Sequence, residues 1–270
     1  MSSATMTKAA VPTAATGSTA SAVTQWLTMG GRSLRLGRRN VEALIMSLVL
    51  PVMLMVVFVY LFGGAIDTGT AYVTYVVPGV MLLCVTFGSG MTAGSVASDM
   101  TGGIIDRLRS LDVGGPAILA GHVAASVARN VFSSALVFGV AFAIGFRPHA
   151  SAAQWLGAVG ILVLTITAVS WLAAGLGLLA SSTEAAAGYT FGITFLPYAS
   201  SAFVPVDTMP TWLRGFAENQ PITPITESLR GLLLDQPVGS APWKAAAWCL
   251  GIMAVSVIAA ALLFRAKTRG

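Results

Sequence analysis

The sequence predicts an all-α integral membrane protein with six transmembrane helices, and three observations carry that prediction. The 270-residue chain is 56% hydrophobic and only 9% charged, against about 25% charged in a soluble domain. Its mean hydropathy is +0.81, and so few charges do not cover a water-soluble surface of this size. Charge-free intervals recur at about the 20 residues that a helix needs to cross roughly 30 Å of hydrocarbon. The ten-residue alternating runs of a membrane barrel are absent.

The elements follow in chain order. Residues 1–22 are rich in Ala, Ser and Thr with one Lys and no apolar run; they read as a disordered cytoplasmic tail, not a secretory signal. In residues 23–42, Leu27, Gly30, Leu34, Gly37 and Val41 line one helical face beside Trp26, while Arg32, Arg35 and Arg39 line another. That pattern predicts an amphipathic helix lying in the membrane interface. Residues 43–266 hold the transmembrane domain, with spans expected at about 43–66, 72–95, 123–146, 154–181, 186–206 and 245–264. Pro51, Pro78 and Pro197 fall inside three of these spans and are expected to kink them. Gly90/Gly94 and Gly188/Gly192 have the spacing that lets helices approach closely. Arg129 is the one ionisable residue near a span, and an interfacial, snorkelling position is expected for it. Met53, Phe58, Phe87, Phe191 and Phe195 are expected to pack in the core rather than line a path.

Between the second and third spans, Ile104, Leu108 and Leu111 share a helical stripe with Ile105 beside it, and Gly114-Gly115-Pro116 stops the helix. Such a helix can lie on lipid or dock on another protein. Between the fifth and sixth spans, Pro210 and Pro224 each start a short helix, the second with Ile225, Leu229, Leu232 and Leu233 as its apolar stripe. Both are expected to dip toward the membrane and bury their apolar faces.

Six spans put both ends of the transmembrane domain on one side. That side carries eleven Lys and Arg and the other four, so both termini are expected in the cytoplasm. This excess orients the chain and touches anionic lipid; it carries no nucleic-acid signal. Cys84 and Cys249 lie in apolar runs and form no disulfide framework. His122 and His149 stand alone and read as loop histidines. No P-loop precedes any of the three lysines, so the chain carries no ATPase motif. The span interiors hold no Asp, Glu, Lys or His to couple ions. The energy source is therefore expected on another chain.

Two segments resemble a known family. One is Ser98-Asp99, then Gly103-Ile104-Ile105-Asp106-Arg107-Leu108-Arg109-Ser110-Leu111. The other is Pro210-Thr211-Trp212-Leu213-Arg214, Asn219-Gln220-Pro221-Ile222-Thr223 and Leu229-Arg230-Gly231-Leu232-Leu233. Together they resemble the membrane subunit of type-2 ABC exporters, especially the daunorubicin-resistance-like permeases of bacteria, over about 25–264. The chain departs from many relatives at Asp112, where they carry Pro.

The resemblance implies a permease of the bacterial cell membrane. Asp99, Gly103, Ile104, Ile105, Asp106, Arg107, Leu108, Arg109 and Leu111 would couple it to a separate ATP-binding subunit, which holds the ATP and Mg; no cofactor is expected in this chain. Trp212, Leu213, Pro221 and Arg230 would belong to an external cap. A second permease chain, identical or not, would complete the membrane part. The expected cargo is a hydrophobic or amphipathic small molecule such as an antibiotic, with no residue assigned to bind it. A lipid or polysaccharide exporter, an ion-coupled carrier and a non-transport assembly factor are the alternative readings.

Overall fold

The computed structural model describes residues 41–66, 71–102 and 115–269, and every regular element among them is helical. α1 runs Val41–Val57 and continues as a π-helical turn, Phe58–Phe62; α2 is Tyr72–Thr101, α3 Gly115–Ile144 and α4 Ala152–Leu179. α5 is Thr183–Phe195, continued by a 3-10 turn at Leu196–Ala199; α6 is Thr211–Asn219, α7 Ile222–Leu233 and α8 Ala241–Arg269. The expected helix at 23–42 lies outside the described residues except for its last two, which open α1. The tail at 1–22 also lies outside them.

Four of these helices, α2, α3, α4 and α8, are long and apolar enough to cross a membrane. They match the second, third, fourth and sixth expected spans. α2 is the central one. Its most apolar window is 83% buried, against 22% for that of α8, and it packs on α1, α3, α4 and α5. α4 and α8 form a second contact layer, with α7 wedged against both. The main core gathers Met55, Val76, Val80, Leu83, Ile225 and Leu229 at one end of the bundle, and a smaller cluster around Leu119, Leu178 and Phe264 closes the other.

Local chemistry sets the boundaries. Ser151 caps α4 in a reciprocal box: its hydroxyl accepts from the Gln154 N–H, and the Gln154 side chain accepts from the Ser151 N–H at 2.7 Å. Ser182 caps α5 by accepting from the Ala185 N–H at 3.1 Å. Pro116 sits in the first turn of α3, where its missing N–H costs nothing, so it opens this helix.

The expected fifth span is not one continuous helix. Pro197 lies at the start of the 3-10 turn and marks the end of α5, which has only 13 residues. Residues 200–205 then run as turns and irregular chain. Pro51 and Pro78, by contrast, remain inside α1 and α2.

Of the glycines singled out by spacing, only Gly90 lies at a close contact, where a Cβ would be 3.3 Å from Thr190 Oγ1 on α5. A Cβ on Gly94, Gly188 or Gly192 meets nothing within 4 Å. The tight crossing of α2 and α4 is at Gly177, where a Cβ would lie 2.5 Å from the Ala93 carbonyl oxygen and 2.9 Å from the Val96 Cβ. Both obstacles are rigid, so Gly177→Ala is expected to destabilise the purified chain by about 1–3 kcal/mol. Gly94→Ala is expected to leave it unchanged. Thermal unfolding of the two variants side by side measures the contrast.

Candidate functional site

Four arrangements in the bundle carry chemistry. The first is a polar knot where α7 meets the start of α2. Pro78 has no N–H to give to the Thr74 carbonyl one turn back and its ring crowds that turn. In the same turn the Tyr75 carbonyl accepts from Arg230 Nε at 3.2 Å and Nη2 at 3.1 Å. Arg230 Nη2 also donates to the Ser201 carbonyl at 2.8 Å, and its guanidinium lies 3.6 Å from the centre of the Tyr75 ring. The Tyr75 and Tyr72 hydroxyls donate to the carbonyls of Ser201 and Phe203, each at 3.0 Å. These bonds satisfy the irregular chain that follows α5, which lies against α2 at Gly79. A Cβ there would sit 2.7 Å from Ala202.

Of the expected cap residues, Arg230 is therefore a half-buried strut, and Pro221 is the N-cap of α7. The apolar stripe of α7 is buried as expected, through Ile222, Ile225, Leu229 and Leu233. α6 does not follow. Trp212 is 80% exposed and Phe216 50% exposed, and Leu213 beside them is half-buried. Glu227 on α7 is exposed, yet partial desolvation of its carboxyl pushes it above its ordinary 4.5, against the pull of Arg230 and Lys244.

The second arrangement is an apolar groove of about 400 Å³ between α1, α2 and α5. Leu50, Phe87 and Gly90 form one wall, and Thr190, Phe191, Phe195 and Tyr198 the other. Core packing was expected for Met53, Phe191 and Phe195, yet they are 58%, 63% and 50% exposed. Phe58 and Phe87 are half-buried. An apolar periodicity marks a helix face as apolar without saying what covers it, which is why the sequence misassigned these three.

The third lies where α2 ends and α3 begins. His122 Nε2 meets Asp99 Oδ2 at 3.1 Å, and its Nδ1 meets Ser95 Oγ at 3.3 Å. His122 is thus a helical residue with two partners and not a loop histidine; His149 does lie in a loop. Asp99 is the one expected coupling residue among those described. Gly103, Ile104, Ile105, Asp106, Arg107, Leu108, Arg109 and Leu111 lie outside the described residues.

The fourth is a polar seam across α2, α3 and α4. Arg129 Nη2 donates to Thr92 Oγ1 at 2.8 Å, Thr92 donates to Ser126 Oγ at 2.7 Å, and Ser126 pairs with Ser170 Oγ at 2.8 Å. Arg129 therefore reaches sideways to α2 and not to an interface as expected. A partner on the neighbouring helix satisfies it sooner than a long reach along its own. Isolated hydroxyls in three apolar runs gave no sequence signal for this seam. Among the described residues no group of three His, Cys, Asp or Glu is placed to hold a metal.

Two outcomes follow from the polar knot. Arg230→Ala removes the guanidinium donors from the Tyr75 and Ser201 carbonyls, the second of which keeps the Tyr75 hydroxyl, and removes the ring contact, so it is expected to cost about 1–3 kcal/mol of stability. Arg230→Lys, without the planar fork, should recover only part of it; thermal unfolding reads both. Raising the Glu227 pKa makes the folded chain hold its proton longer than the unfolded one. Stability should therefore fall as pH rises from about 4.5 through the folded-state value. The effect is small because the carboxyl is exposed, and Glu227→Gln should remove that component of the pH profile of thermal unfolding.

The model of the ABC-2 type transporter family matches residues 24–234. A daunorubicin resistance ABC transporter permease protein, DrrB1, of Streptomyces coeruleorubidus is 31% identical over 216 residues, covering 79% of this chain and 76% of its own. A probable doxorubicin resistance ABC transporter permease protein, DrrC, of Mycobacterium tuberculosis is 24% identical over 245 residues, covering 90% and 89%. The inner membrane transport permease YadH of Escherichia coli is 28% identical over 200 residues, covering 69% and 75%. Permeases of this kind pair with ATP-binding subunits, which bind the ATP. The chain belongs to the ABC-2 type transporter family, as a multi-pass membrane permease and not an ATPase.

Proposed function

We propose that this chain is the permease of an ATP-driven exporter that carries an amphipathic small molecule, such as an antibiotic or another natural product, out of a bacterial cell. The observation that carries the reading is the apolar groove between α1, α2 and α5. Its aromatic wall suits a cargo with a large apolar surface. Relatives named for daunorubicin and doxorubicin resistance support the cargo class.

In this reading the chain crosses the inner membrane six times, with both termini in the cytoplasm. α1 with its π-turn makes the first crossing. α5 and its 3-10 turn, together about 28 Å long, make most of the fifth. α6 and α7 are then external, with Trp212, Leu213, Pro221 and Arg230 in the cap. A second permease chain covers the open face of α5, where Gly188, Phe191, Gly192 and Phe195 are all exposed. Small residues beside aromatic ones allow a close helix contact. The groove then lies beside the two-fold contact, facing the path.

Asp99, Gly103, Ile104, Ile105, Asp106, Arg107, Leu108, Arg109 and Leu111 dock on the ATP-binding subunit. The stripe of Ile104, Leu108 and Leu111 supplies the apolar contact and Arg107 and Arg109 supply charge. Closure of the two ATPases on ATP pushes these segments, and the span bundles rock to open the path outward. The Asp99–His122 bond holds the two helix ends on either side of the pushed segment at a fixed separation.

The double variant Arg107→Glu with Leu108→Asp is expected to abolish co-purification of the cognate ATP-binding subunit and to stop transport. Unchanged co-purification would sink the docking assignment. In proteoliposomes, uphill movement of the cargo should require that subunit and ATP. Sustained uphill transport by this chain alone would favour an ion-coupled carrier instead.

A further inference from the structure

α3 carries a cation in the middle of its apolar length. Arg129 is eleven residues from Ile118 and fifteen from Ile144, the limits of the apolar stretch, which is about 16 and 22 Å of helix. Its Nη2 donates to the Gly88 carbonyl at 3.2 Å and to Thr92 Oγ1 at 2.8 Å, and both acceptors are neutral. Its Nε is buried without a partner, and among the described residues no carboxylate forms an ion pair with it. One turn further on, the Ser133 hydroxyl is also buried without a partner. Arginine keeps its proton in proteins, so the charge persists in a low-dielectric place where an unpaired ion is costly.

The surroundings define what relieves that cost. The guanidinium fork fits a planar or tetrahedral oxyanion, and Ser133, four residues on and so on the same face, adds a hydroxyl donor. On the same side of α3, Phe132 and Leu136 are 53% and 43% exposed. They offer apolar contact to whatever is attached to the anion. We propose that Arg129 and Ser133 form an intramembrane site for the carboxylate or phosphate of an amphipathic acid. The site deepens the proposed function by giving the cargo class a negative head. It lies level with the groove, since Gly88 and Thr92 flank Gly90 on α2.

The test uses the full chain in phosphatidylcholine nanodiscs, without any ATPase, so failure of the site leaves the export reading standing. The fluorescent fatty acid cis-parinaric acid is titrated in, with its methyl ester as the uncharged control. The acid is expected to bind saturably and at least about tenfold more tightly than the ester. Arg129→Gln should erase that preference and Arg129→Lys should keep part of it. The acid-to-ester ratio of the unmutated chain tests the same claim without any substitution. Equal affinities, or a preference that survives Arg129→Gln, would overturn the proposal.

Replacing about a third of the lipid by phosphatidylglycerol separates two sources of the anion. Competition that depends on Arg129 assigns the site to a lipid headgroup, and its absence assigns it to a free amphipathic acid; each upholds the anion site.

Discussion

Hydrocarbon offers no hydrogen bonds, so every backbone group that leaves a regular helix must find its partner inside the protein. That requirement shapes the end of the bundle where α5 stops. The chain at 200–205 is irregular, yet Ser201 and Phe203 give their carbonyls to Tyr75, Arg230 and Tyr72. Gln220 closes the same region by donating to the Leu196 and Ala199 carbonyls at 3.2 and 2.8 Å. α7 is buried because it delivers Arg230 to this place, and α2 can approach because position 79 has no side chain. The irregular chain after the proline that ends α5 and the proline-bearing turn of α2 thus meet at one cluster of donors.

Much of the fold was legible because burial in lipid leaves a one-dimensional trace. The spans expected at 72–95, 154–181 and 245–264 lie wholly within α2, within two residues of α4, and within α8. Arg129 did not disguise α3, although it was expected at an end and lies mid-helix. The fifth span misled because 186–206 is apolar throughout, and composition does not distinguish a helix from a helix followed by a folded-back turn. Pro197 was the available signal. It was read as a kink, and it is a terminus.

The site was less legible, for a physical reason. Arg230 was singled out as part of an external segment, but its partners are carbonyls of residues 155 and 29 positions away, and carbonyls have no sequence signature. The seam from Arg129 through Thr92 and Ser126 to Ser170 joins three helices by single hydroxyls that look like ordinary small residues. Gly177 was hidden among 29 glycines. Spacing proposes which glycines face one another; only the crossing decides which of them is indispensable.

The bond between Asp99 and His122 has a mechanical side. α2 and α3 form a hairpin that is cross-braced, at the end where the chain joins them, by that bond and by the contact with Ser95. The two helices are thereby held from spreading at this end. α2 is about 45 Å long, and its far end is clamped under Arg230. α2 is therefore tied at both ends, to α3 through Asp99 and His122 and to α7 through Arg230, and neither end can shift without straining a bond.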